Sequence, residues 1–115
     1  MSVKYILYNP LSGNGKGEEL AKKLTETYKN DELKYCNMTQ ISSYGKFFDG
    51  ISPKSDIIVC GGDGTLNRFV NDPAFDKFGG EVWYYASGNG NDFWTDLGRK
   101  KGDAPVDITK YLKNL

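Results

Sequence analysis

The chain has 115 residues, about one ordinary domain. Hydrophobic residues make up 38% and charged residues 26%, which suits a soluble globular protein and excludes a disordered one. Fifteen basic residues offset fifteen acidic ones, so no net field recruits nucleic acid or an anionic membrane, and the lack of histidine excludes Ser-His catalysis, His-ligated metals and imidazole bases.

Val3 to Tyr8 (VKYILY) is a short β-rich run, followed by the turn set Asn9-Pro10-Leu11-Ser12-Gly13-Asn14-Gly15. Glu18 to Lys29 has apolar residues at Leu20, Ala21, Leu24 and Tyr28, with Glu18/Lys22 and Glu19/Lys23 as i,i+4 pairs, which predicts one helix. Leu33 to Met38 reads as a second strand, Ile41 to Gly50 as a short helix, and Asp56 to Cys60 (DIIVC) as a third strand. A helix is expected over Thr65 to Asn71, with Thr65 as a candidate cap and Pro73 as the stop. Val82 to Ala86 (VWYYA) makes a fourth strand, Asn91 to Leu97 a short helix, and Val106 to Ile108 a last short strand.

Strands alternating with helices imply an α/β fold: a mostly parallel, Rossmann-like sheet in a three-layer α/β/α arrangement. DIIVC supports a parallel sheet, because a strand buried on both faces loses its polar alternation. No apolar run approaches a membrane span and MSVKYILYNP lacks a signal peptide's long apolar stretch, so the chain reads as cytoplasmic. Cys36 and Cys60 match no zinc pattern and read as buried free thiols. Trp83, Tyr84 and Tyr85 read as sheet packing rather than a base-stacking platform. Phe47, Phe48, Phe69, Phe75 and Phe78 read as core or as an uncovered apolar face, the latter suited to a homodimer. Phe93 reads as core, and Trp94 as a residue that would face a further domain.

Glycines crowd three places: Gly13, Gly15 and Gly17 after strand one, Gly61, Gly62 and Gly64 after strand three, and Gly88 and Gly90 after strand four. In a parallel sheet these carboxyl ends share one edge, where open α/β folds take their ligands. Glycine lets backbone N–H groups approach a ligand, and successive N–H groups before a helix form an anion site. The pattern favours a phosphate-bearing ligand. It is neither a Walker loop, since Lys16 is followed by Gly17, nor a G-x-G-x-x-G dinucleotide turn.

Gly61-Gly62-Asp63-Gly64-Thr65 resembles the GGDGT signature of diacylglycerol and sphingolipid kinases, NAD kinases and, more distantly, phosphofructokinases. Asn9-Pro10-Leu11-Ser12-Gly13 resembles the N-P-x-S-G turn of the lipid-kinase branch, and Gly88-Asn89-Gly90-Asn91-Asp92-Phe93 resembles its G-T-G-N-D-F. All three in order, each after a strand, resemble the diacylglycerol kinase catalytic domain family over roughly residues 3 to 108.

The resemblance implies transfer of a phosphoryl group from ATP to a lipid hydroxyl, with Mg²⁺ as the accompanying ion and diacylglycerol or a related lipid as acceptor. It places Asn9, Pro10, Ser12 and Gly13 along the ATP phosphates or ribose, and Thr39 near the nucleotide. Gly61, Gly62, Asp63, Gly64, Thr65 and Asn67 would form the main nucleotide turn, Gly88 and Asn89 a second, and Asn91 and Asp92 the cleft floor. Asp63 has three roles open to it: orienting Mg²⁺, contacting the nucleotide, or bonding the turn's own amides. No protein metal ligand is assigned.

Two departures stand out. Arg68 occupies a position that the family usually gives to glutamate and is a candidate nucleotide contact, with pairing to a phosphate and pointing to solvent both open to it, and Ala86-Ser87 stands where proline is frequent. The resemblance also implies that residues 1–115 are the nucleotide-binding N-terminal domain, with the β-rich domain that carries the general base and most of the lipid site absent from this chain. On that expectation the chain binds ATP or ADP and turns over no lipid alone. Arg99, Lys100 and Lys101 leave open a peripheral contact with the inner face of a membrane, a solvated loop being the plainer reading. An NAD kinase-like enzyme and a non-catalytic nucleotide-binding regulatory module are the competing readings.

Overall fold

The two stretches with apolar residues on both faces become the middle of the sheet. Strand β1 (Val3–Tyr8) buries Leu7 on one side and Ile6 and Tyr8 on the other, and β3 (Asp56–Gly61) divides Ile57 and Val59 from Ile58 and Cys60 in the same way. The structure is a computed structural model that describes residues 3–87, 92–100 and 103–112. Around these two strands β2 (Glu32–Asn37), β4 (Glu81–Ala86) and β5 (Val106–Asp107) complete a five-stranded sheet of order β2-β1-β3-β4-β5. The first four strands are parallel and β5 pairs antiparallel to β4.

One face of the sheet is covered by α1 (Ser12–Gly15), α2 (Gly17–Lys22) and α3 (Leu24–Thr27), of which Ala21 and Leu24 pack on Ile6, Tyr8, Ile58 and Cys60. The other face carries α4 (Tyr44–Asp49), α5 (Asp63–Val70), α6 (Asp92–Asp96) and α7 (Thr109–Leu112) over the larger core. This is the expected three-layer α/β/α arrangement. Phe48 and Phe69 lie in that core, and Tyr44, Phe47, Phe75 and Phe78 close around them, Phe48 stacking on Phe78 with centroids 5.4 Å apart. The five phenylalanines therefore form one cluster rather than an uncovered apolar face.

The helix expected over Glu18 to Lys29 is broken. Lys23 N–H donates to Leu20 O and Glu26 N–H to Lys23 O, so i−3 bonds tighten the chain between α2 and α3, and the helix stops at Thr27. Thr25 and Thr27 are weak helix formers, and turning Leu24 onto the sheet outweighs one straight cylinder. The Glu18–Lys22 pair forms, at 3.8 Å on an exposed face.

Helix α5 starts two residues earlier than expected. Gly62 is its N-cap and Asp63 and Gly64 lie inside it, so Thr65 is the third helical residue and not the cap. Trp94 is buried in the core, its indole N–H donating to Lys100 O at 3.0 Å, and does not face outward. Cys60 is buried as expected, whereas Cys36 is only half-buried, and both are free thiols.

The register aligns the carboxyl ends. Tyr8 stands opposite Asn37 on one side and Cys60 on the other, and Gly61 stands opposite Ala86. The chain leaves β1 toward β2 and later returns to β3 on β1's other flank. The gap between β1 and β3 is thus the topological switch point, where a crevice opens between diverging connections.

Candidate functional site

The turn after β1 is built on left-handed backbone. Gly13 and Asn14 have φ of 59° and 60°, and a Cβ on Gly13 would lie 2.7 Å from the carbonyl oxygen of Ser87. Asn9 fixes its start, its Oδ1 accepting from Leu11 N–H at 2.9 Å. Gly17 completes it: a Cβ there would lie 1.8 Å from Asn9 O, so only glycine lets α2 pass that close.

The turn after β3 is held from the side. Asp63 Oδ1 accepts from the Tyr84 hydroxyl at 2.9 Å and Oδ2 accepts from Phe93 N–H at 3.0 Å, which ties the start of α5 to β4 and α6. Burial, and secondly the bond to Asp63, push the Tyr84 phenol far above the usual tyrosine range, so it stays a donor. Ser87 N–H donates to Gly61 O at 3.1 Å, and the Ser87 hydroxyl is buried with no hydrogen-bond partner.

Between these turns lies a cleft of two adjoining lobes that share Asn9, Thr65 and Arg68. A polar lobe of about 330 Å³ is bounded by Ser12, Gly13, Asn14, Gly62 and Gly64. A more apolar lobe of about 220 Å³ is bounded by Met38, Thr39, Tyr44 and Phe69. No side chain caps α5, and while Thr65 N–H donates to Gly62 O at 3.1 Å, the N–H groups of Asp63 and Gly64 have no partner within the helix. They open on the polar lobe, where the helix dipole favours negative charge. Nothing lies within 4 Å of a Cβ built on Gly64, so space, not strain, surrounds this glycine. Burial pushes the Tyr44 phenol upward, and it is neutral beside the cleft.

The structure brings together Asn9, Ser12, Gly13, Thr39, Gly62, Gly64, Thr65 and Arg68 of the residues singled out in the sequence. Thr39 is anchored by Asn37, whose Oδ1 accepts from its N–H at 2.9 Å. Five others do not line either lobe: Pro10, Gly61, Asp63, Asn67 and Asp92. Gly61 ends β3, Asn67 bonds the Asn71 amide at 2.6 Å, and Asp92 opens α6 with its side chain exposed. Gly88, Asn89 and Asn91 lie outside the described residues. Sequence reasoning missed Met38, Tyr44, Phe69, Leu11 and Asn14, and the only signal for them was proximity to Thr39, Arg68 and Ser12. Arg99, one of three adjacent basic residues, stacks over Trp94 and donates to Ala104 O at 2.6 Å, which occupies it in closing its own loop.

The sequence profile of the family described as "Diacylglycerol kinase catalytic domain" matches residues 4–114. The chain belongs to that family. Membership makes it a kinase-like catalytic domain of the transferase class, and the α/β sheet with its cleft at the switch point accords with that fold. Searches of curated proteins and of solved structures each return no significant match.

Proposed function

We propose that this diacylglycerol kinase-family chain is the nucleotide-binding half of a lipid kinase, taking ATP as phosphoryl donor for a lipid hydroxyl, with diacylglycerol or a related lipid as acceptor. One observation carries the reading: a two-lobed cleft at the β1/β3 switch point joins a glycine-bounded polar lobe to a more apolar one. The polar lobe suits a polyphosphate, because helix N–H groups and a hydroxyl converge there and space surrounds Gly64. The apolar lobe, with Met38, Tyr44 and Phe69, suits the base and ribose. Asn9, Thr65 and Arg68 stand at the junction and would orient the donor.

The fit to the nucleotide is supported by the glycine turn after β3, where Gly62 and Gly64 bound the polar lobe and nothing lies within 4 Å of a Cβ built on Gly64. ATP supplies the transferable group when bound. The chain's own residues supply position and charge, the larger part of phosphoryl-transfer catalysis. Asp63 serves as a positioning residue, since both its oxygens are taken by Tyr84 and Phe93. For the Mg²⁺ that the family's reaction implies, no group of three Cys, Asp or Glu side chains gathers among the described residues, so they build no all-protein cage and the ion would be carried by the nucleotide's own phosphates. No step is therefore assigned to it.

On this reading residues 1–115 are the donor domain of a cytoplasmic kinase, and the lipid site and general base belong to a β-rich partner domain. The absence of any carboxylate among the described residues that line the cleft favours a second reading, a nucleotide-binding regulatory module. Calorimetry of the 115-residue chain with ATP, ADP and NAD tests the first step. Binding of ATP and ADP without NAD supports a lipid-kinase donor site. Binding of NAD would support an NAD kinase, and no binding by any of the three would end the proposal. An open reading frame beyond codon 115 encoding a β-rich domain separates the kinase from the module.

A further inference from the structure

Among the residues that bound the cleft, Arg68 alone carries a formal charge. It sits in the last turn of α5, yet its side chain runs back along the helix, as helical side chains do, so that Nε meets Gly64 O at 3.4 Å. The guanidinium therefore lies against the glycine turn, at the junction of the two lobes. No ion pair among the described residues engages it. Asp63, the carboxylate in the GGDGT turn, bounds neither lobe and is bonded to Tyr84 and Phe93 instead.

Among the described residues, the cleft lining thus offers an exposed cation and no carboxylate. A divalent ion bridging a polyphosphate to a protein is usually held through one or two protein carboxylates beside the phosphates and waters of its oxygen shell. Bound Mg²⁺ also neutralises phosphate charge that a guanidinium would otherwise meet, and an arginine can take phosphate oxygens in a two-point fork.

We propose that Arg68 determines which form of the nucleotide this cleft takes: it holds the polyphosphate directly, so the chain binds metal-free ADP and ATP at least as tightly as their Mg²⁺ complexes. This rests on the nucleotide reading of the cleft. It concerns the binding of the donor and not the transfer step. Charge at position 68 and Mg²⁺ on the nucleotide act as alternatives, each relieving the same repulsion.

The test is calorimetric titration of ADP and ATP into the 115-residue chain, in EDTA and again in excess Mg²⁺, for the parent, Arg68→Gln and Arg68→Glu. Arg68 is exposed, and unchanged circular dichroism spectra would verify that both variants fold. The parent is expected to bind in EDTA with a Kd no higher than in Mg²⁺. Arg68→Gln should lose about tenfold in EDTA, the scale of one charge-assisted hydrogen bond. Arg68→Glu should lose more, and regain part of it when Mg²⁺ is added. A parent that binds only with Mg²⁺, or variants that bind metal-free nucleotide as the parent does, would overturn the inference while leaving the nucleotide site standing. No binding by the parent in either buffer would overturn both.

Discussion

The Tyr84 hydroxyl donates to Asp63 Oδ1 at 2.9 Å from a side chain that is wholly buried in β4. The carboxylate of the glycine turn is thereby fixed by the sheet beneath it, and with its second oxygen on Phe93 N–H it sets where α5 begins.

Removing the donor should be felt mainly in stability. Tyr84→Phe leaves Asp63 Oδ1 without this partner and is expected to cost about 1–2 kcal/mol, read from urea unfolding. Asp63→Ala orphans Phe93 N–H and leaves the phenol only the longer bond to Gly61 O at 3.4 Å, and should cost more, about 2–4 kcal/mol. Nucleotide affinity should fall by less than stability in both. A variant Asp63→Ala as stable as the parent but unable to bind ADP would make the carboxylate a ligand contact instead.

Gly64 and Gly17 should separate binding from folding. Gly64 is helical with open space around its missing side chain, so Gly64→Ala is expected to raise stability by about 0.5 kcal/mol while weakening ADP binding, because the methyl group enters the polar lobe. Gly17→Ala should destabilise by about 3 kcal/mol, since its Cβ meets backbone at Asn9 that cannot move aside. Thermal unfolding alongside ADP titration measures both.

Alkaline pH should unfold the chain early. Burial raises the thiols of Cys36 and Cys60 and the phenols of Tyr8, Tyr28, Tyr44, Tyr84 and Tyr85 above their ordinary values of 9.0 and 10.0. Each group is neutral when protonated and holds its proton more tightly folded than unfolded. The stability each contributes is therefore complete below its unfolded value and is lost as pH rises past it. Urea midpoints should be flat to about pH 8.5 and fall above it. Cys60 should resist thiol reagents at neutral pH while Cys36 reacts. Equal midpoints at neutral and alkaline pH, or equal labelling of the two thiols, would contradict this.

Much of the fold was legible because its signals are local. VKYILY and DIIVC declared two-sided burial, and the glycines after them marked the ligand edge. The break at Lys23 was not legible, since Leu20, Ala21, Leu24 and Tyr28 form a single stripe on paper and only packing against Ile6 and Cys60 divides it. The early start of α5 was hidden for a related reason: Asp63 and Gly64 are poor helix formers, and bonds from Tyr84 and Phe93, distant in sequence, override them. The polar lobe was foreseen in Ser12, Gly13, Gly62 and Gly64. The apolar lobe was not, because Met38, Tyr44 and Phe69 meet only once β2, α4 and α5 have packed, and each alone reads as core.

The central claim is that the loops leaving β1 and β3 form one receptacle for a nucleotide's phosphates. Backbone amide NMR of the 115-residue chain during an ADP titration tests it most directly. Saturable shifts are expected at Asn9, at residues 11–14 and at 62–68, with smaller ones at Met38 and Thr39. Shifts confined to the opposite end of the sheet, around Phe75 to Val82, or an unchanged spectrum at saturating ADP, would contradict it.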